Sequence, residues 1–273
     1  MKLFVANAFV NENHFGNRAG VVLLFNASDY LSDDYMLSTA KKLAFSETVF
    51  CRRKSEMEFE LRYFTPIAEV NLCGHATIAA FSVLRDENII SVGEYRAKTH
   101  AGTLKIILKI DSVFIEMPKG IVKRIFSEAE AEKLYDAFNL KSAYIAPAIV
   151  NTGLSDILLP VANLSELNGM KPNLKVMKTI SAEYGVIGFH VFCFSNDEIT
   201  AHCRNFAPLF GIDEECATGT SNAALTYYLY TLDLIDSHSE CLFMQGEAMG
   251  MPSIIQSVFL SGKIFIGGKA KIL

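Results

Sequence analysis

Apolar positions along this chain fall mostly in short alternating or continuous runs bounded by Gly, Pro or Asn, the pattern of β-strands. Strands are read at 2–9, 20–25, 47–52, 57–64, 103–109, 112–117, 156–160, 186–195, 198–206, 241–246, 254–260 and 263–267. Helical spacing is rarer. It predicts a helix over 33–43, where Ser32 stands as N-cap before Asp33 and Asp34, and one over 128–138, where Ser127 and Glu130 are spaced as a capping box. A third runs near 173–184, after Pro172. Two more, at 75–86 and 219–233, are apolar throughout and begin in unusual chemistry: "CGHATIAAFSVL" and "CATGTSNAALTYYL".

These two helices belong to a long internal repeat. "RYFTP" ends a strand at 62–66 and "RNFAP" ends another at 204–208, so Arg, Phe and Pro recur 142 residues apart. Cys73 follows Pro66 by seven residues, Cys216 follows Pro208 by eight, and each opens a helix. Upstream, "TAKKLAFSETVF" and "MKTISAEYGVIGFHVF" each run from helix into strand. The Pro-Gly turn "MPKG" at 117–120 predicts a boundary between an N-terminal half, 1–118, and a C-terminal half, 119–273, whose last strands are free to pack back on the first half. Duplicated halves tend to pack about a local twofold. That would set two helix N-termini, each with a thiol and a Gly-rich turn, across one cleft. Such starts favour a carboxylate and are expected to lower a thiol pKa from about 8.5. The expected chemistry is proton transfer at a carbon beside a carboxylate.

Composition narrows the partners. With 51% hydrophobic and 20% charged residues the chain is globular, and its net charge of −5 argues against nucleic acid or an anionic membrane surface. The longest apolar runs, such as 186–194, fall short of a membrane span, and the first residues lack a signal-peptide core, so a cytoplasmic location is expected. The six cysteines (51, 73, 193, 203, 216 and 241) have no CxxC or zinc spacing and are read as thiols, with no metal site. "GNRAGVVL" (16–23) is no phosphate loop and there is no GxSxG elbow, so neither a nucleotide cofactor nor a serine hydrolase is inferred, and no cofactor is expected.

Individual residues carry the chemistry. Glu47, in "AFSETVFC", shares a strand face with Phe45, Val49 and Cys51, where desolvation suits a general acid/base; a salt bridge to Arg52 or Arg62 is the structural alternative. His75 is a donor to substrate or a hydrogen-bonded core residue, while His190 and His202 are read as structural. Of Glu214 and Glu215, one is a candidate partner for a substrate ammonium and the other a solvated turn residue. Thr218, Gly219 and Thr220 offer hydroxyls and N–H groups at the same turn, and "NTG" (151–153) is a further turn.

Five ordered segments, "NAFVNENHFGNRAGVVL", "LAFSETVF", "RYFTPIAEVNLCGHATIAA", "NFAPLFGIDEECATGTSNAA" and "QGEAMGMPS", resemble the phenazine biosynthesis PhzF-like family over nearly the whole chain. The resemblance implies the α+β, diaminopimelate epimerase-like fold: two pseudo-symmetric halves, each a β-barrel-like mixed sheet around a central helix, with the active site between them. It implies a cofactor-independent isomerase, usually homodimeric, in which Glu47 shuttles a proton and Gly74, His75, Glu215, Gly219 and Thr220 bind or polarise the substrate. Three positions depart from the family pattern. Arg18 stands for proline in "GNRAG", Glu215 for aspartate and Cys216 for proline in "EECATGT". The longer Glu215 carboxylate argues against the phenazine substrate itself. Cys73 and Cys216 together resemble the paired cysteines of diaminopimelate epimerase and proline racemase, so both are candidate catalytic residues. The expected function is therefore a PhzF-like isomerase of a small carboxylate or amino-acid-like substrate. The alternatives are a two-thiol Cys73/Cys216 racemase or epimerase and, from another class, a non-catalytic binding protein.

Overall fold

Two helices in this chain are apolar or small on every side, and a helix of that kind is stable only when enclosed. In a computed structural model, residues 75–84 of the first are all buried, as are residues 221–226, 228 and 229 of the second. The structure describes residues 1–10, 15–25, 31–141, 143–195 and 197–273, so positions 11–14 of the first family-like segment lie outside the described residues. Two units are formed, Met1–Glu116 with Gly267–Leu273, and Met117–Ile266.

The first unit comprises β1 (Lys2–Val10), β2 (Asn17–Leu24), α1 (Asp33–Leu43), β3 (Glu47–Arg53), β4 (Glu58–Phe64), β5 (Glu69–Val70), α2 (Gly74–Asp86), β6 (Gly93–Thr99), β7 (Gly102–Leu108) and β8 (Val113–Glu116). β1 and β2 are antiparallel, and β2 then runs parallel to β3 with Ala19 opposite Glu47. A parallel return needs a crossover, which α1 provides. Its ends are set by Ser32, whose hydroxyl accepts from the Tyr35 N–H, by Asp33 and Asp34 in the first turn and by Lys41 and Lys42 in the last. β3 pairs antiparallel with β4, and after the buried α2 the chain returns as β6, parallel to β4, and continues into antiparallel β7 and β8. Phe59, Phe81 and Tyr95 meet edge-on or tilted between the strands and α2.

The second unit repeats this order. β9 (Ile121–Ile125) and α3 (Glu128–Phe138), with its Ser127/Glu130 capping box, precede β10 (Ala148–Asn151) and β11 (Ser155–Pro160). α4 (Leu164–Gly169) and α5 (Leu174–Tyr184) then cross to β12 (Gly188–Phe194), parallel to β11, and β13 (Ala201–Ala207) returns antiparallel. β14 (Ile212–Glu215), the enclosed α6 (Gly219–Thr231), β15 (Glu240–Gln245) parallel to β13, and antiparallel β16 (Ser253–Leu260) complete the repeat. β17 (Lys263–Ile272) is the last strand; its residues from Gly267 onward belong to the first unit, and Lys269 to Ile272 pair antiparallel with β1, Ala6 opposite Ile272. The fold is α+β, and each unit is a barrel-like mixed sheet around one central helix. Five strands that the apolar pattern does not reveal, β5, β6, β9, β10 and β14, are short or polar. In β6 only Tyr95, Ala97 and Thr99 face inward, alternating with Glu94, Arg96 and Lys98.

The repeat extends to side-chain contacts that set where each central helix begins. Arg62 makes a two-point pair with Glu69 (2.7 and 2.6 Å), and Arg204 makes one with Glu214 (2.8 and 2.8 Å). Each guanidinium also stacks on the phenylalanine two residues on, Phe64 at 5.2 Å and Phe206 at 5.1 Å. Thr77 and Asn222, each the fourth residue of its helix, bond back to the carbonyls of Cys73 (2.7 Å) and Thr218 (2.9 Å). Arg204 is the more enclosed cation, its side chain only 6% exposed, and it also donates to the carbonyls of Leu167 and Met170. Arg204→Ala leaves the Glu214 carboxylate and two carbonyls without that cation, so urea denaturation should show a loss of about 3–5 kcal/mol, the range for breaking a buried pair.

Candidate active site

The start of α2 gathers three of the residues singled out in the sequence. Cys73 is the N-cap, in extended backbone, and its side chain does not cap the helix, so the first-turn N–H groups of α2 receive no side-chain oxygen from that position. His75, the second residue of α2, is buried, with Asn17 Nδ2 3.3 Å from Nδ1 and Ser46 Oγ 3.3 Å from Nε2. Cys73 Sγ lies 3.4 Å from Nδ1 and 3.8 Å from Nε2. Glu47, the first residue of β3, reaches the same ring: its Oε2 is 3.2 Å from His75 Nε2. The arginines that the sequence offered as alternative partners of Glu47 are engaged elsewhere, Arg52 with Glu60 and Arg62 with Glu69 and Asp33.

Electrostatics follow from burial. Desolvation lowers the His75 pKa below its ordinary value, and the Glu47 charge only partly opposes this, so the ring is neutral near pH 7. Glu47 Oε2 is shielded from solvent and, among the described residues, accepts no hydrogen bond of regular geometry despite the nearby ring. The strand containing it is buried on both faces, with Thr48, Val49, Phe50 and Cys51 all enclosed, so the carboxylate is held at an apolar strand end. Nothing lies within 4 Å of where a Cβ would project from Gly74, so the helix start is open on that side.

The start of α6 carries the other candidates. Thr218 is the N-cap and, like Cys73, gives no side-chain cap; Gly219 and Thr220 are the first helical residues. The Thr218 hydroxyl donates to Glu215 Oε2 at 3.0 Å. Gln245 clamps this turn: its Oε1 accepts from Thr218 N (3.2 Å) and Asn222 Nδ2 (2.9 Å), and its Nε2 donates to Glu215 O (2.7 Å) and lies 3.1 Å from Thr218 Oγ1. Glu214 is the structural member of the acidic pair, bound by Arg204, and Glu215 is the one aimed at the helix start. Thr152 of "NTG" is buried and donates to the Thr220 carbonyl at 2.9 Å. Cys216 is buried against Gly246, where an added Cβ would meet Cys216 Cβ and O at 2.9 Å in a left-handed backbone (φ +89°). The expected lowering of thiol pKa fails at Cys216. Burial, then the Glu215 charge, push it up to about 11, and a Ser253 hydrogen bond recovers only part.

Several supporting residues escaped the sequence reading. Asp156, His190, Asn205, Ser221, Asn222 and Gln245 are all buried and form one chain of hydrogen bonds behind the α6 start. Ser221 donates to Asp156 Oδ2 (2.6 Å), Asn205 donates to Ser221 (3.0 Å) and sits 3.3 Å from His190 Nδ1, and His190 Nε2 is 3.3 Å from Asn222 Oδ1. Of these, His190 alone was read as structural; Asn205, Ser221, Asn222 and Gln245 lie inside segments that carry the family resemblance, with no role assigned, and nothing marked Asp156. His202 instead pairs with Glu247 at 2.6 Å.

Register also shows what the second unit lacks. Glu47 faces Ala19 and precedes Thr48, the partner of Phe64; Gly188 faces Asp156 and precedes Phe189, the partner of Phe206. Gly188 therefore occupies the position of Glu47 in the repeat. A Cβ there would lie 1.8 Å from the Phe206 carbonyl, so no carboxylate fits.

Comparisons with known proteins place the chain in a family. The sequence model of the PhzC-PhzF family, described as "Phenazine biosynthesis-like protein", matches residues 6–272. An uncharacterized isomerase of Clostridium acetobutylicum is 33% identical over 270 residues, covering 93% of this chain and 88% of its own. A Bacillus anthracis phenazine biosynthesis protein of the PhzF family superposes with a TM-score of 0.86 at 25% identity, covering 100% of this chain and 98% of its own. A hydroxyproline epimerase of Agrobacterium vitis, solved with trans-4-hydroxy-L-proline, shares the fold at a TM-score of 0.63 and 12% identity, over 99% and 90% of the two chains.

Burial of the histidines makes stability depend on pH. His190 is held down to about 4, against 6.5 for the free side chain. Between those values the unfolded chain binds a proton that the native one refuses, so this residue's contribution falls as pH drops through that window. Asp156, raised by burial, acts with the opposite sign. The readout is therefore a difference: the stability of wild type minus that of His190→Gln should fall by about 1.4 kcal/mol per pH unit below 6.5 and level off near 4, measured by urea titration.

Proposed function

This chain belongs to the phenazine biosynthesis-like (PhzC-PhzF) family and is an isomerase; from that premise we propose that it moves a proton at a carbon of a small carboxylate, using only its own side chains, with Glu47 as general acid and base. The observation that supports this most is the Glu47 carboxylate, held at a buried strand end with Oε2 beside a neutral His75 and no competing arginine. A carboxylate so placed can take a proton from a C–H and return it to another carbon, because no cation fixes it in the ionised form.

The remaining candidates have supporting roles in this reading. In the first unit the helix start at Gly74 presents backbone N–H groups to a substrate carboxylate or developing oxyanion. Neutral His75 donates to or orients the same group. In the second unit the helix start at Gly219 is of the same kind, and Glu215, steadied by Thr218 and followed by Thr220, is suited to an ammonium or hydroxyl. Its extra methylene relative to the family aspartate favours a substrate other than the phenazine precursor. A thiol at about 11 is a poor base near neutrality, so Cys216 serves as a donor or as packing, and the two-thiol route loses its base on that side.

Proton NMR in D2O across a panel of unsaturated, cyclic and amino carboxylates tests the reading. Wild type should carry solvent deuterium into one acid of the panel, and Glu47→Gln should slow this by about 10³-fold, within the usual range for a general acid/base. Exchange that survives in Glu47→Gln but is lost in Cys73→Ser and Cys216→Ser would move the assignment to the thiols. Ligand-induced thermal stabilisation without exchange for any acid would make the chain a binding protein.

A further inference from the structure

We propose that His190 and Asn205 are positioning residues for Glu215: in the second unit they replace one tyrosine of the first, and the direction of their hydrogen bonds dictates that the Thr218 hydroxyl donates to the Glu215 carboxylate. The repeat shows the replacement. In the first unit Tyr63 of β4 stands opposite Val49 of β3, and its hydroxyl lies 2.6 Å from Thr77 Oγ1, which bonds back to the Cys73 carbonyl. At the same register of the second unit Asn205 stands opposite His190. The shorter Asn205 side chain reaches His190 at 3.3 Å, and His190 reaches Asn222, the counterpart of Thr77, at 3.3 Å. A span closed by one phenol in the first unit is closed here by an amide and an imidazole.

Direction follows from groups that can only accept. The Thr218 carbonyl accepts from Asn222 at 2.9 Å, so the Asn222 amide nitrogen faces that carbonyl and its oxygen faces His190. His190 Nε2 must therefore carry the proton. Burial holds the ring neutral down to about 4, so near neutrality Nδ1 has no proton and accepts from Asn205 Nδ2. The second N–H of Asn205 goes to Ser221 (3.0 Å), whose own proton goes to Asp156 (2.6 Å). On the other side Asn222 also donates to Gln245 Oε1 (2.9 Å), which turns the Gln245 nitrogen toward the Glu215 carbonyl (2.7 Å) and Thr218 Oγ1 (3.1 Å). Thr218 Oγ1 thus receives an N–H, and its single proton is left for Glu215 Oε2 (3.0 Å). Among these residues Asn205 alone donates in both directions, toward Asp156 and toward Glu215. A flipped amide or the other His190 tautomer would set two N–H groups or two acceptors face to face in a buried setting, so the chain has one direction.

The substrate role of Glu215 rests on the function proposed above; the direction of the chain does not. Long-range nitrogen–proton NMR of the histidine rings in the full-length wild type at pH 7 tests the direction without a variant, His190 being assigned by its loss in His190→Gln. Nε2 should be protonated and Nδ1 bare; a proton on Nδ1 overturns the proposal. Asn205→Leu should move the Nδ1 resonance downfield, toward an acceptor without a partner, and an unmoved resonance overturns the part given to Asn205. The link to Glu215 is read by carbon NMR titration of its side-chain carboxyl, assigned with Glu215→Gln. Gln245→Met removes the last donor, and His190→Leu removes the donor to Asn222 while leaving Gln245 in place. Each should raise the Glu215 midpoint by at least about 0.5 pH unit, because a carboxylate that loses a hydrogen bond protonates more readily. His190→Gln, which keeps an N–H for Asn222, should return most of that shift. A Glu215 midpoint that moves in Gln245→Met but not in His190→Leu overturns the role of His190; should the leucine variant not fold, the ring protonation in wild type decides. For an acid that exchanges deuterium, His190→Leu should raise KM about tenfold, the scale of one hydrogen bond, with kcat little changed, and a loss confined to kcat overturns the positioning role. A chain with no exchange toward any acid fails the earlier proposal, while the NMR measurements still decide this one.

Discussion

A helix enclosed on every side can meet a ligand only at its ends, and that constraint organises both units of this chain. In α2 and α6 the flanks are consumed by packing: ten consecutive residues are buried in the first, and residues 221–226, 228 and 229 in the second. Ala76, Ala79 and Ala80 in one and Ala223 and Ala224 in the other keep the cylinder narrow enough for a sheet to close around it. What remains is an N-terminus whose leading N–H groups are not capped by the N-cap side chain. The residues that flank it, Cys73 to His75 and Glu215 to Thr220, thereby become the chemically available part of an otherwise apolar element.

Holding such an end in place requires polar groups in a buried setting, and the two units solve this with the same parts. Arg62 and Arg204 each tie the end of a strand to a glutamate just before the helix, and Thr77 and Asn222 each tie the first turn back to the N-cap carbonyl. The second unit adds the chain from Asp156 to Gln245, which fixes the backbone of Glu215 and Thr218. In a low-dielectric interior each of these contacts is costly to leave unpaired, so the network specifies one arrangement of the turn. Burial lowers the His190 pKa and raises that of Asp156, while their bonds to Asn222 and Ser221 in the first turn of α6 oppose those shifts.

How much of this was legible depended on distance along the chain. The helices at 33–43 and 128–138 were readable because their caps are local: Ser32 with Tyr35, Ser127 with Glu130. The enclosed helices were readable from all-round apolarity, and the duplication from Arg, Phe and Pro recurring at fixed spacing. β6 was not, because its inward residues are Tyr95, Ala97 and Thr99 and its outward ones charged, so no apolar run marks it. At the site, Cys73 and His75 are neighbours and were found together, but that Glu47 turns to His75 and not to Arg52 or Arg62 follows from strand pairing: Arg52 stands opposite Glu60 across β3 and β4. The supports of α6 come from β11, β12, β13 and β15 and share no motif.

The same register explains why the duplicated fold carries a carboxylate at this strand start in only one half. Where β3 begins with Glu47, β12 begins with Gly188, pressed so closely on the Phe206 carbonyl that no side chain fits. Substitution alone could not restore an acid there without moving β13, which also carries Arg204 and Asn205. The halves have thus specialised: one holds a carboxylate beside a neutral imidazole, the other a thiol kept protonated by burial and by the Glu215 charge. A thiol with a pKa of about 11 can give a proton but rarely takes one near neutrality.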